Sequence, residues 1–404
     1  MFIKTENGIC AAKGFKASGV HCGLRKNATK KDLALILSEV PAATACTYTT
    51  NLVKGAPITV TKKNVANGYS RAVICNSGNA NTCNANGIEI AEEMCALTAK
   101  YTGISSDDVV VASTGVIGQP LDIEPIKKGM PELVEKLGNN SLSAAEAIMT
   151  TDTKVKECAY IFTVGGKECK IGGIAKGSGM ICPNMATMLV FITSDVSISP
   201  AMLQKAVSAD VEDSFNMVSV DGDTSTNDML TVMANGLAGN ETITEENEDY
   251  KTFCEALATV TTYLCRMIAG DGEGATKLLE CKVSGAKTKE TARTVAKSVI
   301  NSSLLKAAMF GADANWGRVL CAIGYSGADV DVTKVDVSFK SANGIIDVCK
   351  NGAGIPFSEE IAKTVLIATE IEILVGLNDG DGNAVARGCD LTYDYVKING
   401  DYRS

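Results

Sequence analysis

Short runs of apolar and β-branched residues alternate with longer amphipathic segments along most of the chain, and this alternation limits the fold more than any other feature. The short runs predict strands at RAVICNSG (71–78), DDVVVASTG (107–115), TMLVFITSD (187–195) and KVDVSFK (334–340). The longer segments predict helices over 89–103, 200–215, 249–272 and 289–311, and YIFTVGGKECKIGG (160–173) predicts a hairpin with GGKE as its turn. Because the two kinds are mixed throughout, an α/β (α+β) fold is favoured over an all-β or all-α one.

The length and charge of the chain limit its class and its partners. A chain of 404 residues predicts two domains or one two-lobed domain, and 46% hydrophobic residues argue against disorder. The net charge is −9 and the basic residues are scattered, so neither nucleic acid nor an anionic membrane is an expected partner. The longest uncharged run, 177–194, contains Gly, Pro and Asn and does not resemble a transmembrane helix.

The cysteine pattern predicts a reducing compartment. The chain has 15 cysteines but no Cys-x-x-Cys pair, and its first residues, MFIKTENGIC, lack an apolar signal core. An odd number of scattered cysteines is typical of reduced, mostly buried thiols. We therefore expect free cysteines and a cytoplasmic protein.

A single histidine, His21, restricts the chemistry. A site with two or more histidine ligands is excluded, and a Ser-His-Asp or Cys-His mechanism would have to use His21 alone. For His21 itself a packed or surface role is favoured over a catalytic one.

Three motifs resemble ligand-binding loops. GGIAKGSG (172–179) has neither the P-loop nor the dinucleotide spacing, so it predicts a flexible loop with a lone cation, Lys176, beside it. DGDGN (379–383) begins like a calcium loop but lacks the later Gly and Glu, and is rejected. DGDTSTND (221–228) predicts a capped turn or a buried polar network, with a metal site as the less favoured alternative.

Two further segments follow predicted strands. NSGNANTCNANG (76–87) fits an irregular loop and a functional loop equally well, because Asn and Gly tolerate left-handed backbone angles. In ASTGVIG (112–118), the Thr-Gly pair at a strand end can direct a hydroxyl and a backbone N–H to one point, which suits an oxyanion.

The Ala186–Thr187 step lies between a Gly/Pro-containing loop and an apolar strand. A threonine at a chain N-terminus can use its own α-amine, with a pKa of about 7.7–8.0, as the base that activates its hydroxyl. That chemistry would require cleavage before Thr187. On these physical grounds alone, an ordinary threonine at the start of a strand is the favoured interpretation.

The segment AKGSGMICPNMATMLVFITSD (175–195) resembles the signature around the cleavage site of the ArgJ family, the glutamate N-acetyltransferases or ornithine acetyltransferases. Further segments match in the family's order: NSGNAN, STGVIG (113–118), AIMTTDT (147–153), VDGDTSTND (220–228), GDGEGATK (270–277), GADANWGR (311–318) and GCDLTYDYVKINGDYRS (388–404). The resemblance extends from about residue 75 to the last residue.

The resemblance implies a four-layer α/β/β/α sandwich of the DmpA/ArgJ-like type with two lobes. It also implies self-cleavage between Ala186 and Thr187 into an α chain, 1–186, and a β chain, 187–404. Two chains of each kind are expected in a heterotetramer.

The implied reaction moves the acetyl group of N2-acetylornithine to glutamate through an acetyl-threonine intermediate, in arginine biosynthesis and without a cofactor. Some family members also use acetyl-CoA, so a second donor is left open. The alternative is an amidohydrolase or aminopeptidase-like enzyme with an N-terminal nucleophile.

The resemblance assigns Thr187 as nucleophile and Thr114 and Gly115 as the oxyanion hole. The substrate-binding positions are Thr150, Lys176, Thr187, Glu273, Asn399 and Ser404. At Ser404 the family usually has Thr, and both residues carry a hydroxyl.

Overall fold

The computed structural model of the protein describes residues 2–182 and 188–400. Its helices are α1 (Ala56–Asn64), α2 (Gly87–Thr102), α3 (Glu124–Glu135), α4 (Ser141–Ile148), α5 (Pro200–Asp213), α6 (Glu248–Gly270), α7 (Lys289–Asn301), α8 (Ser303–Phe310), α9 (Trp316–Gly324), α10 (Glu359–Leu366) and α11 (Tyr393–Gly400). Its strands are β1 (Ile3–Thr5), β2 (Phe15–Val20), β3 (Leu33–Tyr48), β4 (Tyr69–Asn79), β5 (Val109–Val116), β6 (Lys156–Val164), β7 (Lys167–Lys176), β8 (Leu189–Ser194), β9 (Val218–Ser219), β10 (Met229–Ala234), β11 (Leu278–Ala286), β12 (Asp336–Ser341), β13 (Gly344–Lys350), β14 (Ala353–Gly354), β15 (Glu370–Gly376) and β16 (Gly382–Cys389).

The long strand β3 organises the first sheet. Within the described residues this sheet has nine strands in the order β1-β6-β7-β8-β10-β3-β4-β5, with β2 also paired to β3. Residues 33–37 of β3 pair with β2 and β4, whereas residues 43–48 pair with β10. The register shifts between these two parts, around Pro41, which has no N–H to donate to a neighbouring strand.

The first sheet has two halves, one containing β4 and β5 and the other containing β7, β8 and β10. Both faces of each half are buried. One core lies between the halves and contains Ala34, Ile36, Val73, Val110, Leu189, Phe191 and Met229. Alternate residues point outward, where Leu33, Leu35, Ile74 and Val111 share a core with α2 and α3. On the opposite outer side Val190, Ile192, Leu230 and Val232 share a core with α5 and α6. This period-two alternation produces the predicted α/β/β/α layers.

A second sheet forms the other lobe. Its order, within the described residues, is β14-β13-β12-β15-β11-β16-β9. Apolar residues of α7, α8, α9 and α10 cover one face of it. Helix α6 contacts β6 and β7 of the first sheet as well as β11 and β16 of the second, and so joins the lobes. The prediction of a two-lobed, four-layer fold is confirmed.

The predicted division at residues 186 and 187 does not coincide with the boundary between the lobes. Strand β8, which follows that division, pairs with β7 on one side and with β10 on the other. The two predicted chains therefore share the first sheet.

One predicted helix is divided in two. The pattern over 289–311 predicts a single helix, but the structure ends α7 at Asn301 and starts α8 at Ser303. Between them Ser302 is extended, with φ −67° and ψ 106°, and its side chain accepts a hydrogen bond from Leu305 N–H. Helical periodicity continues across such an N-cap, so the pattern alone does not reveal the break.

The predicted hairpin is confirmed as β6 and β7, but its turn is Gly165–Gly166, one residue before the centre of GGKE. Both glycines have positive φ, 53° and 74°, which a type I′ hairpin turn requires. The 15 cysteines all lie in the described ranges, where they are free and most are buried, as predicted. Among the described helices, none has the length and hydropathy that a membrane span requires.

Candidate active site

Six of the predicted site residues line one cavity of about 120 Å³, which we call the main cavity. They are Thr114, Gly115, Thr150, Lys176, Glu273 and Asn399. The remaining three, Ala186, Thr187 and Ser404, lie outside the described residues. The cavity is thus built from the ends of β5 and β7, the loop after α4, the loop after α6, and the C-terminal helix α11.

The carboxyl end of β5 supplies the predicted oxyanion hole. Strands β4 and β5 are parallel, and Gly115 is paired with Gly78. Gly115 has φ 133°, and a Cβ at this position would lie 2.3 Å from the carbonyl carbon of Gly78. Both the backbone angle and the close approach of β4 therefore require glycine beside Thr114.

The buried side-chain amide of Asn227 holds the end of β5 in place. Asn227 donates from Nδ2 to the carbonyls of Ala80, at 2.5 Å, and Ser113, at 3.0 Å. Its Oδ1 accepts from the hydroxyls of Thr82, at 2.6 Å, and Thr226, at 2.5 Å. This network connects DGDTSTND with NSGNANTCNANG and the β5 turn, so the polar-network interpretation of the first motif is confirmed. Within the described residues, no group of three or more His, Cys, Asp or Glu side chains is arranged to hold a metal.

Lys176 is buried at the end of β7, with 8% of its surface exposed. Its Nζ donates to Thr114 Oγ1 at 3.3 Å. Burial lowers the pKa of Lys176, while the negative charges of Asp152 and Asp228 oppose that shift. The interpretation of Lys176 as a lone cation is therefore wrong, and the predicted loop begins only after Lys176. The side chain is fixed in a strand and has carboxyl groups near it.

A fully buried ion-pair network lies behind Lys176. Lys156 Nζ is 2.6 Å from Asp152 Oδ1 and 2.6 Å from Asp271 Oδ2. Asp152 also accepts from the backbone N–H of Gly177 at 2.7 Å and of Thr150 at 2.9 Å. Burial alone would raise the pKa of Asp152. The positive charges of Lys156 and Lys176 lower this pKa by more, so the net shift is downward. The network fixes two segments of the cavity wall and crosses the predicted division of the chain.

Glu273 and Asn399 form another wall of the main cavity. Asn399 Nδ2 donates to Glu273 Oε2 at 2.7 Å, and Glu273 N–H donates to the carbonyl of Ser178 at 2.9 Å. A Cβ on Gly179 would lie 2.4 Å from the Glu273 carboxylate. The small residue in GGIAKGSG is therefore needed to admit this carboxylate.

Sequence reasoning did not single out several residues that line the main cavity. They are Ala80, Ile117, Thr151, Gly179, Met180, Ser225, Thr226 and Asn227. All of them belong to motifs noted above, but short-range patterns do not show which side chains turn inward. His21 does not line the main cavity. Its Nδ1 lies 2.9 Å from the Lys30 carbonyl oxygen and 3.2 Å from Asp32 Oδ2, so the ring is packed against neighbouring residues, as predicted.

Comparison with known proteins identifies the family. The sequence profile of the ArgJ family matches residues 16–404. The chain belongs to the ArgJ family. It is 50% identical over 404 residues to Arginine biosynthesis bifunctional protein ArgJ 1 of Clostridium acetobutylicum, covering 100% of this chain and 99% of that one. It is 48% identical over 404 residues to the Bacillus subtilis ArgJ bifunctional protein, covering 100% and 98%.

Among solved structures, the chain is similar to Mycobacterium tuberculosis ornithine acetyltransferase complexed with ornithine. The identity is 32% and the TM-score 0.43, over 46% of this chain and 100% of that one. The family matches confirm the prediction of an ArgJ-family enzyme of arginine biosynthesis.

Proposed function

We propose that this ArgJ-family chain cleaves itself between Ala186 and Thr187 and then transfers the acetyl group of N2-acetylornithine to glutamate. Thr187 is the nucleophile in this proposal and carries the acetyl group as an ester. The family's sequence resemblance supplies the roles, and the composition of the main cavity supports them.

The main support for this proposal is that four residues line the same cavity, namely Thr114, Gly115, Lys176 and Glu273. Two of these residues, Thr114 and Lys176, also line a second, smaller cavity together with Met188, the residue that follows Thr187 in the sequence. Thr187 therefore directly precedes a residue that lines this cavity together with two of the predicted site residues.

Cleavage at this point is compatible with an intact enzyme. Residues 171–176 of β7 pair with residues 189–194 of β8, and β10 pairs with β3. The buried contact between Lys156 and Asp271 also spans the division. The two product chains would therefore remain joined by strand pairing, core packing and a buried ion pair.

In the first half-reaction, the freed α-amine of Thr187 takes the proton of its own hydroxyl, and Oγ attacks the acetyl carbonyl of N2-acetylornithine. Gly115 N–H and the Thr114 hydroxyl donate to the developing oxyanion. Because Lys176 already donates to Thr114 Oγ1, the Thr114 hydrogen is free to point at the substrate. The amine returns its proton to the leaving nitrogen, the C–N bond breaks, and ornithine departs.

In the second half-reaction, the amine of glutamate attacks the acetyl ester. The α-amine of Thr187 takes a proton from the attacking nitrogen and passes it to Thr187 Oγ as the ester bond breaks. N-acetylglutamate leaves and the free hydroxyl is restored, so the cycle balances without a cofactor. Water in place of glutamate would give acetate, which is the amidohydrolase alternative.

The charges in the main cavity suit α-amino acids. Lys176 is a cation for the α-carboxylate that both substrates share, and Glu273 is an anion for the δ-ammonium group of ornithine. Asn399 Nδ2 donates to Glu273 Oε2 and to the Tyr395 carbonyl, and so holds the Glu273 carboxylate in place. Acetyl-CoA as a second donor and the heterotetramer stay predictions from the family.

The test is an assay of the purified enzyme with unlabelled glutamate and N2-acetylornithine whose acetyl group carries an isotopic label. We expect label in N-acetylglutamate, two fragments, 1–186 and 187–404, on a denaturing gel, and a labelled acetyl group on the fragment that begins at Thr187 when glutamate is omitted. A parallel assay with acetyl-CoA measures the second donor.

Thr187→Ala should remain uncut and inactive, because the nucleophile is missing. Thr187→Ser, which keeps a hydroxyl, is the matched control and should retain cleavage and measurable transfer. Label recovered only as acetate would favour the hydrolase, and a Thr187→Ala variant that still cleaves and transfers would refute the proposed nucleophile.

A further inference from the structure

Met180 lines the main cavity, but the mechanism above gives it no task. It has a left-handed backbone conformation, with φ 56°, and 43% of its surface is exposed. Apart from glycines, the described residues in this conformation are mostly asparagines, which tolerate it better than methionine does. Strained backbone persists only where neighbouring groups hold it, and such positions are concentrated at functional sites. A long apolar side chain held in this way at a cavity indicates a task for that side chain.

Asp221 holds the turn at Met180 with both of its carboxylate oxygens. Met180 N–H donates to Oδ2 at 2.6 Å, and Ile181 N–H donates to Oδ1 at 2.8 Å. The backbone beside the carboxylate is also fixed, because Val220 N–H donates to the Ile181 carbonyl at 2.6 Å. Hydrogen bonds to an ionised acceptor are stronger than those to a neutral one. The left-handed conformation of Met180 is therefore maintained by a residue 41 positions later in the sequence.

The segment that ends in this turn begins at Lys176 and passes the Glu273 carboxylate. Lys176 is the last residue of β7. After it, the Ser178 carbonyl accepts from Glu273 N–H at 2.9 Å, and a Cβ on Gly179 would lie 2.4 Å from the Glu273 carboxylate. From the other side, Asn399 Nδ2 donates to Glu273 Oε2 at 2.7 Å. The fold thus fixes the positions of both the cation and the carboxylate of the main cavity.

The main cavity, which contains these two charges, is small. Its volume is about 120 Å³, whereas pockets for small molecules commonly measure roughly 300–1,000 Å³. Because both charges are fixed, a side chain that reaches from one to the other has a limited length. Among the described residues of the lining, Met180 has the longest apolar side chain. An unbranched and flexible methionine side chain packs well against an aliphatic chain.

We infer that Met180 is a specificity-determining residue that limits the length of the donor's side chain, and that Asp221 is the positioning residue that holds Met180. The inference rests on the proposed function, in which Lys176 binds the α-carboxylate and Glu273 binds the δ-ammonium group. Met180 then contacts the methylene groups between these two charges. N2-acetyllysine, which is one methylene group longer than N2-acetylornithine, would have to displace the Met180 side chain.

The experiment measures kcat/KM for N2-acetylornithine and for N2-acetyllysine with glutamate as acceptor, and rates are normalised to cleaved enzyme. A hydrophobic contact discriminates by about 10- to 200-fold between substrates that differ by one methylene group. Glycine adopts φ 56° without strain, so Met180→Gly keeps the turn and removes only the side chain. We expect this variant to lower the ratio of the two kcat/KM values by about tenfold. A defect in folding would instead reduce both values and leave their ratio unchanged.

Two further variants separate the side chain from its support. Met180→Leu keeps a large apolar side chain and should keep the ratio within about threefold of the wild-type value. Asp221→Asn keeps the Met180 side chain but has one acceptor oxygen in place of two, so one of the two N–H groups loses its partner. We expect the ratio to fall by about three- to tenfold in Asp221→Asn.

Asn351→Gly is the matched control. Asn351 also has a left-handed conformation, with φ 49°, and its N–H donates to Asp336 Oδ1 at 2.9 Å. It follows β13 in the second lobe and does not line the main cavity. Asn351→Gly therefore removes a side chain from the same kind of turn and should keep the wild-type ratio. Tyr395→Phe, which removes a hydroxyl 3.3 Å from Asp221 Oδ2 but leaves both N–H contacts, should keep it as well.

Three results would overturn the inference. The first is an unchanged ratio in cleaved Met180→Gly, whether N2-acetyllysine stays unused or both donors lose activity equally. The second is a wild-type ratio in Asp221→Asn. The third is failure of Met180→Gly to cleave, which would assign this residue to maturation of the chain. If the wild type transfers no acetyl group from N2-acetylornithine to glutamate, the proposed function itself is refuted.

Discussion

The two sheets of this protein are buried to different extents. The first sheet has apolar cores on both faces, between its halves and beneath the outer helices. The second has an apolar core on one face, while its other face carries charged pairs such as Lys282–Glu372 and Arg387–Glu280. Four of the six described site residues, Thr114, Gly115, Thr150 and Lys176, come from first-sheet strand ends or from the loop after α4, whereas Glu273 precedes β11 and Asn399 follows β16 of the second sheet. Burial on both faces gives the strand ends little freedom, and a site that must align several donors benefits from that rigidity.

The largest effect is expected from a substitution in the buried ion-pair network around Lys156. Lys156→Met removes the cation that is paired with two buried carboxylates, Asp152 and Asp271, so we expect the free energy of unfolding to fall by about 3–5 kcal/mol. Chemical denaturation measures this change. A loss below about 1 kcal/mol would mean that this pair behaves like a surface pair, and the contrast between the two sheets would not hold for ion pairs.

The next effect concerns the strand end at the oxyanion hole. In Gly115→Ala the new Cβ would meet the Gly78 backbone, so Gly115 N–H must move, and removing one such donor costs about 100- to 1000-fold in kcat. Steady-state transfer kinetics measure the loss. Gly118→Ala is the control, because Gly118 also has a positive φ, 76°, but no atom within 4 Å of the added Cβ. Equal losses in both variants would assign the effect to backbone strain alone.

The smallest effect is expected on the open face of the second sheet. Lys282 is 2.7 Å from Glu372, but its side chain is 39% exposed, so water screens the pair. Lys282→Ala should change the free energy of unfolding by less than about 1 kcal/mol and leave kcat unchanged. A larger loss of stability, or a change in oligomeric state by light scattering, would show that this face is covered in the assembled enzyme.

Local patterns predicted most of the elements of the first sheet. The alternation in RAVICNSG and DDVVVASTG became β4 and β5, and the paired glycines became the hairpin turn. The family resemblance named all six site residues that the structure brings together. The inward-facing position of Asn227 could not be predicted, because its hydrogen bonds join segments that are far apart in the sequence.

The sequence by itself determined the mixed α/β class, the family and the identity of the proposed nucleophile, since strand alternation, turn glycines and ordered motifs are properties of adjacent residues. Only the tertiary structure decided that Lys176 is buried near carboxyl groups and that the strands before and after the predicted division, β7 and β8, pair within one sheet. These features arise from strand register and burial, which are set by contacts between distant segments of the folded chain.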